Sequence, residues 1–192
     1  MENVAHLSLP AQSLETAQGR AKEALDTALR QVGMIPNMYA RMANAPGLLE
    51  TYLFGYNLFR KESGFTAAEQ EVVFLAISRV NECDYCMAAH SMIAEAVSKT
   101  PAQAIAALRE DQPIDDPKLR ALAAFTRMMV ESRGRPTEQN VQAFLAAGYG
   151  ERHVLEIILA IGVKTLSNYA NHVFHTKLDA RFEGHAWELP RQ

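Results

Sequence analysis

The stretch that constrains the fold most is Thr66-Ala-Ala-Glu69, followed by Gln70-Glu71 and the unbroken apolar run Val72-Val73-Phe74-Leu75-Ala76-Ile77. Thr66 and Glu69 form a capping box, in which each side chain satisfies a free backbone donor of the other, so a helix starts there. Its apolar run leaves no polar side, and a helix of that kind sits in the middle of a domain with other elements around it. No alternating apolar and polar pattern longer than a few residues occurs along the chain. The covering elements are therefore helices too, and the class is all-α.

Residues 1 to about 12 read as an extended arm, and a helix is predicted from Ser13 to Gln31, stopped by Gly33. Pro36 and Pro46 open two further helices, because proline fits a first helical turn but not an interior. Met38, Tyr39, Met42, Leu48, Leu49, Tyr52, Leu53 and Tyr56 recur on them at helical spacing, as core residues do. After the central helix, Asn81-Glu82 breaks the chain and a second helix carries Asp84 to about Lys99. Thr100-Pro101, Asp116-Pro117 and Thr137 open three more, ending near Glu110, Val130 and Gly148. The last long helix runs from Glu151 to about His175, with Leu155, Ile158, Leu159, Gly162 and Leu166 expected to face inward. The 192 residues suit one domain, taken as 1–192 with a helical extension over about 1–60. A shift of 84 residues lays Leu75-Ala76-Ile77 on Leu159-Ala160-Ile161 and Tyr85 on Tyr169, an echo that an internal duplication or a chance match between helices would each produce.

A formal net charge of -3, with basic residues scattered among acids, offers no footprint for nucleic acid or an anionic membrane surface. The amino-terminal residues lack the basic segment and apolar run of a secretory signal, and no later run reaches the length of a membrane span. The expected location is cytoplasmic. Thiols are kept reduced there, so a cysteine pair points to redox chemistry or metal binding before a permanent staple.

That pair is Cys83-Asp84-Tyr85-Cys86, which holds both cysteines of the chain, with His90 four residues after the second. A thiol attacks only as thiolate, a form favoured by a helix N-terminus, a neighbouring histidine and a second thiol. Cys86 has access to all three. His90, at i+4, shares its helix face and can take its proton or hold its charge. Cys83, just before the helix, is close enough to resolve a sulfenic acid on Cys86 into a disulfide. Glu71 lies on the preceding helix, and a hairpin of the two helices brings it back beside His90, where a carboxylate orients an imidazole. The other reading of Glu71 is a solvated acid favouring the helix dipole. On the last helix Asn168 and His172 share a face at i+4 and can line the same pocket, or be satisfied core residues.

The spacing Glu71-x(11)-Cys83-x-x-Cys86-x-x-x-His90 resembles the signature of the carboxymuconolactone decarboxylase-like superfamily, in its alkylhydroperoxidase D-like, peroxidase-related branch. Gly33-Met-Ile-Pro36-Asn37 followed by Pro46-Gly47-Leu48-Leu49 is similar to the same branch. The resemblance implies an all-helical antioxidant enzyme that forms a homo-oligomer (dimer, trimer or hexamer) and needs no cofactor or metal. It implies that a hydroperoxide oxidises Cys86, that Cys83 gives a proton and closes the disulfide, and that His90 and Glu71 relay protons. A thiol or dithiol, in some members a peroxiredoxin, is the implied redox partner. One position departs from the pattern: Tyr85 stands where the characterised hydroperoxidase has a histidine. A phenol with an ordinary value near 10 is no base at neutral pH.

Three rival readings accompany this one. Cys83, Cys86, His90 and Glu71 include zinc-ligand types, although no second ligand pair closes a four-ligand site. A ring-lactone decarboxylase shares the superfamily without needing the thiol pair. A non-catalytic redox sensor oxidises once and stops.

Overall fold

The computed structural model describes residues 4–189. Residues 4–12 form the expected arm, tied to the end of the last long helix by a hydrogen bond from Leu7 N to Val173 O (2.8 Å) and to the helix after Pro36 by one from Gln12 N to Ala40 O (2.9 Å). Nine α-helices follow among the described residues: α1 (Gly19–Val32), α2 (Asn37–Met42), α3 (Pro46–Glu62), α4 (Ala67–Val80), α5 (Asp84–Ala96), α6 (Ala102–Glu110), α7 (Pro117–Glu131), α8 (Glu138–Ala146) and α9 (Glu151–Phe174). A 3-10 turn, Ala180–His185, closes the carboxyl end. None of the helices is long and apolar enough to cross a membrane.

Helix α1 starts six residues later than the sequence predicts, since the start moves from Ser13 to Gly19. Ser13 and Thr16 satisfy each other's backbone in a separate turn, with Ser13 N donating to Thr16 Oγ1 at 2.8 Å. Such local side-chain bonds compete with helix. Gly33 ends α1 as expected, at φ 78, a conformation that glycine adopts without steric cost.

Helix α4 is the axis of the fold. Its capping box is formed, with Thr66 N donating to Glu69 Oε2 (2.8 Å) and Glu69 N to Thr66 Oγ1 (3.2 Å). Helices α5, α6, α7 and α9 all pack on it. Phe74, Leu75 and Ile77 have no exposed surface, and each contributes about 1.5–3 kcal/mol of burial. On one side the core joins α4 to α6, α7 and α8. On the other, α1, α2 and α3 close over α5 and α9 around both cysteines. Close approach of α3 to α9 depends on Gly55, where an added Cβ would lie 2.8 Å from Val163 Cγ2.

The face of α9 differs from the expectation. Leu155 is 65% exposed and Ile158 50%, Gly162 is exposed, and Leu159 and Leu166 are only partly buried. The inward residues include Lys164, Ser167, Asn168 and Asn171. The helical period of Leu155, Ile158, Leu159, Gly162 and Leu166 predicts the core face there, but the helix turns a polar stripe inward beside Ile157, Ala160, Val163, Ala170 and Phe174.

The 84-residue echo reaches the helix starts as well. Gly150, the counterpart of Thr66, donates its N–H to His153 Nδ1 at 2.9 Å, as Thr66 donates to Glu69. It stops there. After Val80 the chain turns at Asn81-Glu82, with Glu82 at φ 54, whereas α9 runs on without a break through Tyr169. Tyr85 is buried and Tyr169 is 58% exposed.

Candidate active site

The turn after α4 sets the geometry of the thiol pair. Cys83 N donates to Ser78 O at 3.0 Å, and Cys83 O accepts from Met87 N at 2.9 Å. Cys83 is thus the N-cap residue of α5 and Cys86 stands in its first turn, where the aligned backbone dipoles favour a negative charge. Both thiols are free and buried.

The hairpin of α4 and α5 brings Glu71 to His90, with Glu71 Oε2 2.8 Å from His90 Nδ1. Its other oxygen, Oε1, forms an ion pair with Arg60 of α3. Arg60 in turn donates to Tyr56 Oη at 2.7 Å and to Gln70 Oε1 at 3.1 Å. Glu71 has no exposed surface. Burial alone would raise its carboxyl, but His90 and Arg60 outweigh that and hold it below the usual carboxylate range. Burial and the charge of Lys164 push His90 down, against the pull of Glu71. His90 is therefore neutral near pH 7 and donates its Nδ1 proton to Glu71, while Arg60 balances the carboxylate. The tautomer is fixed, and Nε2 is left as the nitrogen able to accept a proton.

Helix α9 supplies the other wall. Asn171 Nδ2 lies 3.4 Å from Cys86 Sγ and 3.7 Å from Cys83 Sγ, so one amide serves both sulfurs. Ser167 Oγ is 4.0 Å from Cys86 Sγ. The two thiols are driven apart in acidity. For Cys83, its hydrogen bond to Cys86, then burial, push the thiol well above the ordinary value. Burial acts to raise Cys86 too, but the bond from Cys83 and the nearby Lys164 and His90 bring it well below. Of the two sulfurs, the surroundings favour the thiolate at Cys86 and the thiol at Cys83.

Three predicted residues lie elsewhere in the network. Tyr85 is buried against Phe182, and its hydroxyl donates to Asp179 Oδ2 at 2.5 Å. Asp179 also accepts from Asn37 N at 3.1 Å. Burial and that bond push the phenol far up, and through Asp179 the carboxyl-terminal segment is tied to both α2 and α5. Asn168 is fully buried and accepts from Asn81 Nδ2 at 2.9 Å, bracing the turn that precedes Cys83. His172 is half-buried and stacks on Tyr169, with ring centroids 6.3 Å apart.

Arg60, Lys164, Ser167 and Asn171 went unidentified in the sequence as site residues. Lys164 has no exposed surface, and among the described residues no hydrogen-bond partner reaches its Nζ. A signal existed: Lys164, Ser167, Asn168 and Asn171 fall at i, i+3, i+4 and i+7, a polar stripe at helical period within an apolar helix. Among the described residues, no group of three or more His, Cys, Asp or Glu side chains is arranged to hold a metal ion.

Residues 47–128 match the model of the carboxymuconolactone decarboxylase family. Among solved structures, an AhpD-core, uncharacterized peroxidase-related protein from Ralstonia eutropha JMP134 superposes with TM-score 0.79 at 21% identity, over 95% of this chain and 96% of that one. A peroxidase-related protein from Silicibacter sp. TM1040 gives 0.74 at 22% identity, over 96% of each chain. The debrominase Bmp8 in complex with 2,3,4-tribromopyrrole gives 0.75 at 15%, over 94% and 97%. No curated protein matches the chain by sequence. Residues 47–128, the segment that carries Glu71, Cys83, Cys86 and His90, thus resemble the carboxymuconolactone decarboxylase family, and the chain as a whole has the fold of the AhpD-core proteins.

Proposed function

We propose that the protein is a thiol-dependent hydroperoxide reductase. The observation that carries this is the polarised pair: one buried sulfur favoured as thiolate, one held as thiol, and a single amide spanning both. The Cys86 thiolate attacks the terminal oxygen of a hydroperoxide, and the O–O bond breaks. The departing alkoxide takes a proton from solvent and leaves as the alcohol, with Cys86 now a sulfenic acid. Cys83 gives its proton to His90 Nε2, whose orientation Glu71 fixes, and attacks the Cys86 sulfur. The sulfenic hydroxyl leaves with that proton as water, and a disulfide forms. An external dithiol, for which a peroxiredoxin is one candidate, returns two electrons and two protons and becomes the disulfide itself.

An apolar groove of about 380 Å³ supports an organic hydroperoxide, since its lining includes Met42 and Ala170, which also pack around the cysteines. The reading includes a homo-oligomer. Phe54 (69% exposed), Leu155, Ile158 and Tyr169 leave an apolar face on α3 and α9 suited to a second copy.

The test is alkylation and peptide mass spectrometry after one equivalent of an organic hydroperoxide. Wild type should lose both alkylatable thiols together, and Cys83→Ser should trap an oxidised species on Cys86. Two thiols still alkylatable after peroxide would overturn the reading. Steady turnover with a dithiol donor separates the enzyme from a sensor, and lactone decarboxylation surviving in Cys86→Ser would assign the chain to the other chemistry of its family.

A further inference from the structure

We propose that Lys164 is the counter-charge of Cys86, a positioning residue that keeps the attacking sulfur ionised without entering the bond changes. Lys164 is fully buried on α9, and its Nζ has no hydrogen-bond partner among the described residues. Its aromatic neighbour is Phe74, with Nζ 5.6 Å from the ring centroid, and that ring lies 4.9 Å from His90. Along the same face of α9, at i+3 and i+7, come Ser167 and Asn171, the two side chains against the sulfurs. Lys164 thus begins the stripe that faces the thiol pair.

An isolated ammonium is costly to bury, and such groups are found paired with an opposite charge. The groups facing the site can be taken in turn. From α2 and α3, Tyr39, Tyr52 and Tyr56 are all pushed up by burial and stay neutral. From α4, Glu71 is already engaged by Arg60 and His90. On α5, Cys83 and Tyr85 keep their protons and His90 is neutral. From the carboxyl-terminal segment, the buried Asp179 is already engaged by the Tyr85 hydroxyl and Asn37 N, so Cys86 is the group left that can carry the negative charge. With it ionised, the partly buried Arg60 and the buried Lys164 face two buried anions, Glu71 and Cys86.

The inference deepens the hydroperoxide reading and rests on it only for the consequence in turnover, because the ionisation of Cys86 can be read without peroxide. In reduced, full-length protein, the rate of iodoacetamide alkylation at Cys86 is followed by peptide mass spectrometry from about pH 5 to about pH 10. Lys164→Met should slow the reaction at pH 7 by about tenfold or more and move the inflection upward, with the rate rejoining wild type at the alkaline end. Lys164→Arg, which keeps the charge, should restore much of the neutral-pH rate. An unchanged profile, or a loss equal at every pH, overturns the proposal. Should Lys164→Met fail to fold, thermal melts of Cys86→Ser and of the Cys86→Ser/Lys164→Met double variant decide. A charge pair makes the double variant melt at or above Cys86→Ser, since its stranded cation is gone. A double variant that melts lower or does not fold overturns it. Peroxide turnover failing in a wild type that shows the low inflection would sink the hydroperoxide reading and leave Lys164 in place.

Discussion

The α4–α5 hairpin and helix α9 enclose the same two sulfurs and obey opposite rules. In the hairpin, residues 69–78 of α4 and 85–91 of α5 are all buried, so a polar residue there survives only if it is paired, and Glu71 and His90 find each other at 2.8 Å. Helix α9 buries a lysine, a serine and two asparagines beside Ile157, Ala160, Val163, Ala170 and Phe174, and leaves Leu155, Ile158 and Tyr169 outward. Burial is therefore not the measure of what a residue does here. A polar stripe turned inward is where α9 contributes to the site, and an apolar stripe turned outward is a surface awaiting cover.

The largest expected effect tests the hairpin. Glu71→Leu removes the partner of Arg60, whose side chain is 18% exposed, and of His90, leaving a cation buried without its carboxylate. Breaking such a pair from one side costs about 3–5 kcal/mol, measurable by chemical denaturation. A loss below about 1 kcal/mol, the scale of an exposed ion pair, would mean that the hairpin does not depend on its charges.

Next comes the facing wall. Asn171→Leu keeps the approximate volume and removes the amide that serves both sulfurs. A hydrogen bond to a charged group is worth about 1.5–3 kcal/mol, so Cys86 alkylation at neutral pH should fall by about ten- to a hundredfold with little change in melting temperature. Equal rates in variant and wild type would reduce the inward stripe of α9 to packing.

A smaller effect lies in the pH dependence of stability. His90 is depressed by burial, so its folded value lies below the ordinary value of about 6.5. Between the two values the unfolded chain binds more protons, and stability falls as pH drops, by at most about 1.4 kcal/mol per unit. Glu71 is also depressed. Its contribution is complete above the ordinary carboxylate value of about 4.3 and is lost as pH falls through its lower folded value. Denaturation midpoints should therefore decline in two stages on the acid side. His90→Gln, which keeps an amide donor for Glu71 and cannot titrate, should remove the upper stage and leave the lower.

The two regions differ in legibility for the same reason that they differ in chemistry. The capping box, the buried run and the spacing of Glu71, Cys83, Cys86 and His90 are local patterns, and local patterns are readable in one sequence. Arg60 comes from α3 and Lys164 and Asn171 from α9, far along the chain, so their approach to the sulfurs depends on packing that no window reveals. For α9 the reading inverted because Leu155 and Ile158 satisfy the helical period as well as Lys164, Ser167 and Asn171 do, and period alone does not say which stripe is inside. The start of α1 was misread on a smaller scale, since Ser13 and Thr16 can cap a helix or close a turn and here close a turn.

The smallest expected effect on the folded chain falls on the outward face of α9. Leu155, Ile158 and Tyr169 follow one stripe over about 21 Å of helix, beside the exposed Phe54 of α3. Exposed leucine in a monomer contributes little, so Leu155→Ser should change stability by no more than about 0.5 kcal/mol if the chain is alone. If a second copy covers this face, the same substitution removes apolar contact from an interface, and sedimentation velocity should show the assembly dissociating at concentrations where wild type stays whole. Thiol chemistry provides the control, because Leu155 points away from the sulfurs and Cys86 alkylation should be unchanged in either case. A wild type that sediments as a monomer would confine the role of α9 to its inner stripe. Dissociation by Leu155→Ser with alkylation intact would show one helix serving chemistry on one face and assembly on the other.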